Sequence, residues 1–141
     1  MTIKFFIPGP LFGKARPRKG KFGVYDPASN REYESKVKAA YLEARGILDP
    51  TDEPVMLIVE AYYPIPKTAK RKRMPDKIQP GDICMGKPDC DNILKSIMDG
   101  LNKVAYKDDA QVYDVHCTRR YADEPGVKVT IITVGGENNE Y

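Results

Sequence analysis

Val55-Met-Leu-Ile-Val-Glu-Ala-Tyr-Tyr63 is the most strand-like run in this 141-residue chain. It is nearly continuous in apolar character and rich in β-branched and aromatic residues, which predicts a strand buried in the middle of a sheet. Upstream, Thr2–Ile7 reads as a second strand, ended by Pro8-Gly9-Pro10. Residues 11–24 are basic and contain glycine and proline, so they predict a loop or ragged hairpin with a short strand at Lys21–Tyr25. Asp26-Pro27 is a turn signal. Ser29 or Asn30 can cap a helix running to about Ala44, because Tyr33, Val37, Ala40, Tyr41 and Ala44 recur at spacings of three and four before Gly46.

Downstream of the central run, residues 64–88 carry five prolines around a lysine and arginine run, which predicts a long loop with room for a short helix near Thr68–Met74. Asp89–Asn102 reads as a helix, with Asp89 or Asp91 as cap and Gly100 or Asn102 near its end. Val104–Lys107 is a short extended piece and Asp108-Asp109 a turn. Gln111–Tyr121 and Val127–Val134 predict a closing hairpin joined through Asp123-Glu124-Pro125-Gly126. One domain over residues 1–135, followed by a polar tail at 136–141, accounts for the whole length.

Composition excludes several classes. Charged residues at 30% and hydrophobic residues at 41% describe a globular chain. No apolar run approaches the roughly 20 residues of a membrane span, and the start is too short for a secretory signal, so the chain is expected in the cytoplasm without a membrane partner. Three cysteines, Cys84, Cys90 and Cys117, lack framework spacing and read as packing residues. The net charge of +3 hides a segregation. Residues 1–24 hold six basic side chains and no acid, residues 64–77 hold six basic against Asp76, and the remainder is net −8. Segregated charge fits a polyanionic partner, with a solvated loop as the alternative for the 64–77 run.

The chemistry is concentrated in Lys87-Pro-Asp-Cys-Asp-Asn-Ile-Leu-Lys95, Asp99-Gly-Leu-Asn102 and Tyr106-Lys-Asp-Asp-Ala-Gln-Val112. On a helical wheel of about 100° per residue, Ile93, Leu94, Ile97, Met98 and Leu101 fill one arc that packs on the sheet, while Asp91 and Lys95 share an adjacent face at i,i+4. Taken alone, that pair is an ordinary helix-surface pair. Asp89, Asp91 and the Asp108-Asp109 turn, however, would crowd several carboxylates unless a cation sits among them. The hard-oxygen set suits Mg²⁺, and Lys95 adds a positive charge beside a phosphoryl oxygen. An EF-hand frame fails at Ile93, Leu94 and Gly100; zinc pairs, a phosphate-binding glycine loop and a serine-hydrolase elbow are absent; and His116 stands alone in a strand.

These same segments resemble the signature of the RusA-like Holliday-junction resolvases, or crossover junction endodeoxyribonucleases. Lys14-Ala-Arg-Pro-Arg18 and the closing strands are compatible with that resemblance along the whole chain. The resemblance implies an α+β fold, a small mixed β-sheet with helices packed on it, and a homodimer. It implies an enzyme that nicks two strands of a four-way DNA junction with Mg²⁺, or Mn²⁺ in its place, without an organic cofactor, in bacterial or phage-infected cells. By position it makes Asp89, Asp91, Lys95 and Asp109 catalytic, the three aspartates metal ligands, and Asp108 a further candidate ligand. Basic residues Lys14, Arg16, Arg18, Lys19, Lys21, Lys70, Arg71, Lys72, Arg73, Lys87, Arg119 and Arg120 are the candidate DNA contacts. Phe12, Phe22 and Tyr25 can stack on bases opened at the crossover, with core packing the alternative for each. A flap or branched-DNA nuclease of lower selectivity, and a branched-DNA binding protein without cleavage, are the competing functions.

Overall fold

The central strand, β4 (Val55–Pro64), is hydrogen-bonded along both edges. Its inward residues Val55, Leu57, Val59, Ala61 and Tyr63 are buried, and Met56, Ile58, Glu60 and Tyr62 on the other face are half-buried. The computed structural model describes residues 1–14, 16–25, 27–66 and 78–134, with nothing described of the Tyr25 side chain. The Thr68–Met74 helix, the Lys70–Arg73 contacts and the polar tail predicted from the sequence lie outside these residues.

The elements in chain order are β1 (Thr2–Pro8), β2 (Arg18–Gly20), β3 (Gly23–Tyr25), α1 (Ala28–Arg45), β4, α2 (Cys90–Leu101), a 3₁₀ turn (Asp109–Gln111), β5 (Val112–Ala122) and β6 (Gly126–Thr133). A four-stranded mixed sheet has the order β1-β6-β4-β5, and β2 and β3 form a separate two-stranded ribbon. This is the α+β architecture expected. No helix among the described residues is long and apolar enough to cross a membrane.

The predicted closing hairpin does not form. β5 pairs with β4 in parallel, β6 pairs antiparallel with both β4 and β1, and β4 therefore lies between the two strands that the sequence joins. Burial explains the outcome. Along β6, Val127, Val129, Ile131 and also Thr130 are buried, so it gains most from an interior position between two strands. Asp114, His116, Thr118 and Arg120 of β5 alternate with half-apolar positions, the pattern of an edge. Parallel pairing of β4 with β5 needs a crossover, and the segment containing α2 supplies it.

Both helices pack on one face of the sheet. Tyr33, Val37 and Tyr41 of α1 join Ile93, Ile97 and Leu101 of α2 and the inward strand residues in one core. The α1 start differs from expectation. Pro27 occupies the cap position without a side-chain hydrogen bond, and Asn30 is buried within the first turn instead of capping it. Pro is well suited to a helix entrance because its missing N–H would have no partner there.

Gly100 marks the closest approach of the two helices. A Cβ there would lie 2.6 Å from Val37 Cβ and 2.8 Å from its Cγ1. Gly100→Ala should therefore destabilise the fold by about 1–3 kcal/mol through overpacking, despite the roughly 1 kcal/mol helix-propensity advantage of alanine. The denaturation midpoint in urea reads the sign; a midpoint that rises would mean the helices separate at little cost.

Candidate functional site

Asp89 sits at the N-cap of α2, where its carboxylate accepts a hydrogen bond from the Asn92 backbone N–H at 3.1 Å. This is the local reason the helix begins here, since a capping carboxylate satisfies an otherwise orphan donor and suits the positive end of the helix dipole. The preceding carbonyl is held from the sheet. The Tyr63 hydroxyl at the end of β4 donates to the Pro88 carbonyl, and Arg119 of β5 donates to the same oxygen at 3.4 Å and to the Gly86 carbonyl. The Arg119 guanidinium also stands 5.9 Å from the Tyr63 ring centroid.

Asp91, Lys95 and Asp99 follow along one ridge of α2 at i, i+4 and i+8. Asp91 and Lys95 are exposed and form no ion pair with each other or with any other described residue. Asp99 is engaged by Lys14, whose Nζ pairs with its Oδ2. The loop carrying Lys14 is laid on the helix by further contacts: Ser96 Oγ donates to the Phe12 carbonyl at 3.2 Å, and the Lys14 backbone N–H donates to the Asn92 carbonyl at 3.3 Å. Gly13 permits this approach, because a Cβ there would fall 2.6 Å from Pro88 Cβ. Lys14, Arg16, Pro17, Asn92, Lys95 and Asp99 together line an open groove of about 540 Å³.

Asp109 approaches from the other end of α2. Its turn is pinned by Gln111, whose Oε1 accepts from the Lys107 and Asp108 backbone N–H groups at 2.9 Å each. The Gln111 amide nitrogen donates to the carbonyls of Thr51 at 2.8 Å and Glu53 at 3.0 Å. Burial pushes the Asp109 carboxyl above the ordinary carboxylate range; Asp99 and Asp108 add to the rise, and the Tyr106 hydroxyl and the Lys14 charge oppose it. Tyr106 is itself buried, its hydroxyl donates to the Met98 carbonyl at 3.1 Å, and burial followed by the nearby Asp109 charge raises its pKa.

Asp109 Oδ1 is buried and has no hydrogen-bond partner. A buried carboxylate oxygen left without a donor is costly unless something positive takes that place. Asp89, whose cap bond uses only Oδ1, the unpaired Asp91 and Asp109 supply the hard oxygen donors that Mg²⁺ or Mn²⁺ takes. Among the described residues no three Asp, Glu, His or Cys side chains stand close enough to hold one ion. The structure therefore does not bring Asp89, Asp91 and Asp109 together as one ready-made set of ligands, although the oxygen chemistry of each suits a hard cation that keeps waters in its shell. Asp108 is exposed at the N-cap of the 3₁₀ turn.

The candidate DNA contacts divide. Arg16, Arg18, Lys19 and Lys21 are exposed on the N-terminal segment beside the groove, and Lys87 is exposed just before the Asp89 cap. Arg119 faces the helices and holds the 86–88 backbone. Arg120 points to the opposite face of the sheet, where it donates to the Gly81 carbonyl at 2.8 Å. Phe12 stacks on Tyr33 with centroids 5.0 Å apart, so packing accounts for it. His116 is exposed and lies 3.2 Å from Asp114. The three cysteines are free thiols; burial and the adjacent Cys90 push Cys117 up to about 12, which keeps it a neutral packing group.

Three positioning contacts were not predicted from the sequence: Tyr63 and Arg119 on the helix start, the latter read only as a candidate DNA contact, and Asp99, quoted within the motif, as the anchor of Lys14. Only the alternation of β5, which separates Arg119 from Arg120 by face, hinted at one of them. The Lys14–Asp99 contact is testable by a double-mutant cycle on stability with Lys14→Ala and Asp99→Asn. Half-burial predicts a coupling of about 0.5–1 kcal/mol; additive effects would mean that the pair does not persist in solution.

The profile of the family described as Endodeoxyribonuclease RusA matches residues 8–132, and so spans both the basic N-terminal loop and the Asp89–Asp109 region. The "Uncharacterized protein YqaN" of Bacillus subtilis (strain 168) is 35% identical over 135 residues, covering 92% of this chain and 94% of that protein. The chain is a member of the RusA endodeoxyribonuclease family.

Proposed function

We propose that this protein is a divalent-metal-dependent endonuclease that resolves four-way DNA junctions by paired nicks, acting as a homodimer on DNA in the bacterial or phage-infected cell. The observation that carries the reading is the orphaned Asp109 carboxylate oxygen, buried near a groove lined by Lys14, Arg16 and Lys95 on the helix that bears Asp91. Carboxylates alone would repel a phosphodiester. Cations alone would bind DNA without cutting it.

Asp91 and Asp109, with Asp89 and Asp108 beside them, are the residues that would hold the ion. The chemistry a bound ion supplies is positive charge at the phosphoryl oxygen and acidification of the attacking water. The chain's own part is positioning. Lys95, unpaired and exposed, offers its ammonium to the phosphate on which charge develops. Lys14 and Arg16 flank the strand and fix its register through sequence-independent contacts. Tyr63 and Arg119 hold the backbone that aims Asp89.

The dimer follows from substrate symmetry, since one chain carries one such site and a junction presents two equivalent strands. A surface for it is at hand. The sheet face opposite the helices carries Phe6, Met56, Ile58, Tyr62 and Ile132, with Phe6 38% exposed, and no described element covers it.

The deciding experiment offers a synthetic four-way junction, a flap, a Y-fork and a linear duplex to the protein with Mg²⁺. Resolution of the junction into nicked duplexes is expected; equal cutting of every substrate would reduce the protein to an unselective nuclease, and binding without cutting to a junction binder. Asp91→Asn should bind and not cut, and Lys95→Ala should lower turnover by roughly 10²-fold with a smaller effect on binding.

Asp109→Asn separates function from stability. The raised carboxyl pKa means the folded state disfavours the charged form, so stability falls as pH climbs from the ordinary carboxylate pKa through the folded one. Removing the charge should therefore raise the thermal midpoint at neutral pH while cleavage is lost. A lower midpoint would show that Asp109 stabilises the fold.

A further inference from the structure

The β2–β3 ribbon is too short to be stable on sheet pairing alone, and it exposes what a protein core would hide. Its register is Arg18↔Tyr25, Lys19↔Val24 and Gly20↔Gly23, which leaves Lys21 and Phe22 as the two residues of the turn. Gly23, at φ +114°, allows the chain to leave that turn in a conformation side chains rarely adopt. Phe22 is 97% exposed, more than any other large hydrophobic residue described, and Val24 behind it is 69% exposed. Arg18, Lys19 and Lys21 on the same ribbon are exposed, and the Lys21 ammonium lies 5.8 Å from the Phe22 ring centroid. No acidic residue occurs in residues 1–24.

Single exposed apolar residues are common and mean little by themselves. The setting of Phe22 is different. Its ring stands at the tip of a projecting, wholly basic turn, and nothing in the core needs it there. The ribbon is tied to the reacting centre through the chain. Phe22 follows Lys14 by eight residues, an extended reach of at most about 28 Å, and Lys14 is fastened to Asn92 and Asp99 of α2. Cations along the ribbon suit a phosphate backbone, and a free aromatic face suits a base that has lost its stacking neighbour. In a continuous duplex no such face is available; at a strand exchange point it is.

We propose that the Lys21-Phe22 turn is a branch-point probe in which the Phe22 ring stacks on an unpaired or partly unstacked base while Arg18, Lys19 and Lys21 hold the flanking phosphates. The proposal deepens the junction-resolving reading and rests on it for the identity of the branched substrate. Phe12 cannot play this part, because its ring is already stacked on Tyr33.

The chain has no tryptophan, so Phe22→Trp would place a single indole at the tip. In Ca²⁺, to bind without cutting, strong quenching of the indole is expected with a four-way junction and with oligo(dT), and little with a blunt linear duplex. Phe22→Ala should weaken junction binding by about tenfold, the size of one base–aromatic stack, and leave duplex affinity within twofold; Phe22→Trp should retain junction binding. Far-UV circular dichroism of both variants checks that the fold is intact. An indole unaffected by any DNA, or quenched equally by duplex, overturns the probe, as does a blue shift on concentrating the protein without DNA, which would assign the tip to a protein contact. If the wild type cuts junctions and the indole stays silent, the probe fails alone. If the wild type cuts no DNA and the indole is quenched by oligo(dT), the resolvase reading fails and base stacking stands.

Discussion

Tyr63 and Arg119 reach the Pro88 carbonyl from adjacent parallel strands, and the first turn of α2 is fixed by that meeting. A helix N-terminus is otherwise free to fray, because its first donors lack partners. Here the backbone just before the cap is tied to the sheet, the cap itself is Asp89, and the apolar arc of Ile93, Ile97 and Leu101 seals the helix on the core. The ridge of Asp91, Lys95 and Asp99 then has nowhere to turn except outward. If β4 and β5 were not parallel neighbours, Tyr63 and Arg119 would not converge, and the orientation of every acidic group on α2 would loosen.

Electrostatics then sets the tension. Burial raises the cost of ionising Asp109, and the Asp99 and Asp108 charges add to it. Lys14 relieves part of it, and it does so from a loop 85 residues away in sequence. The same ammonium that pairs with Asp99 belongs to a residue lining the groove. Acid and base thus stabilise each other without DNA, and neither is wholly neutralised: Lys95 stays unpaired and Asp109 keeps an oxygen without a donor. Incomplete compensation of this kind destabilises a fold and is retained where function needs open valence.

Much of this was legible in the sequence for physical reasons. β4 announced itself by continuous apolar character, and α2 by an arc of aliphatic residues between a capping aspartate and a terminal asparagine. Both signals are local and strongly periodic. The strand pairing was not legible. Val112–Ala122 and Gly126–Thr133 look like a hairpin because a short turn joins them, yet β4 competes for both edges and wins, since it offers each strand a longer apolar partner. The start of α1 was misplaced because Asn30 has the chemistry of a cap and the burial of a core residue. The aspartates and Lys95 were visible as a motif, whereas Lys14–Asp99 and Tyr63–Pro88 are contacts between distant segments that no spacing rule encodes.

Exposure divides Phe12 from Phe22, two N-terminal aromatics that the sequence treated alike. Phe12 is consumed by packing on Tyr33 and helps to seat the loop. Phe22, ten residues on, is left bare. The difference follows from where the loop is fastened. From Leu11 to Lys14 it is bonded to α2 and half-buried, whereas the β2–β3 ribbon pairs only with itself among the described strands. The rigid part carries Lys14 to the groove, and the projecting part carries cations and one ring away from the core. A nuclease with a small footprint needs both. On the proposed reading, phosphate contacts at the groove would hold any duplex equally, whereas a bare ring on a basic turn is a surface that a continuous duplex does not satisfy.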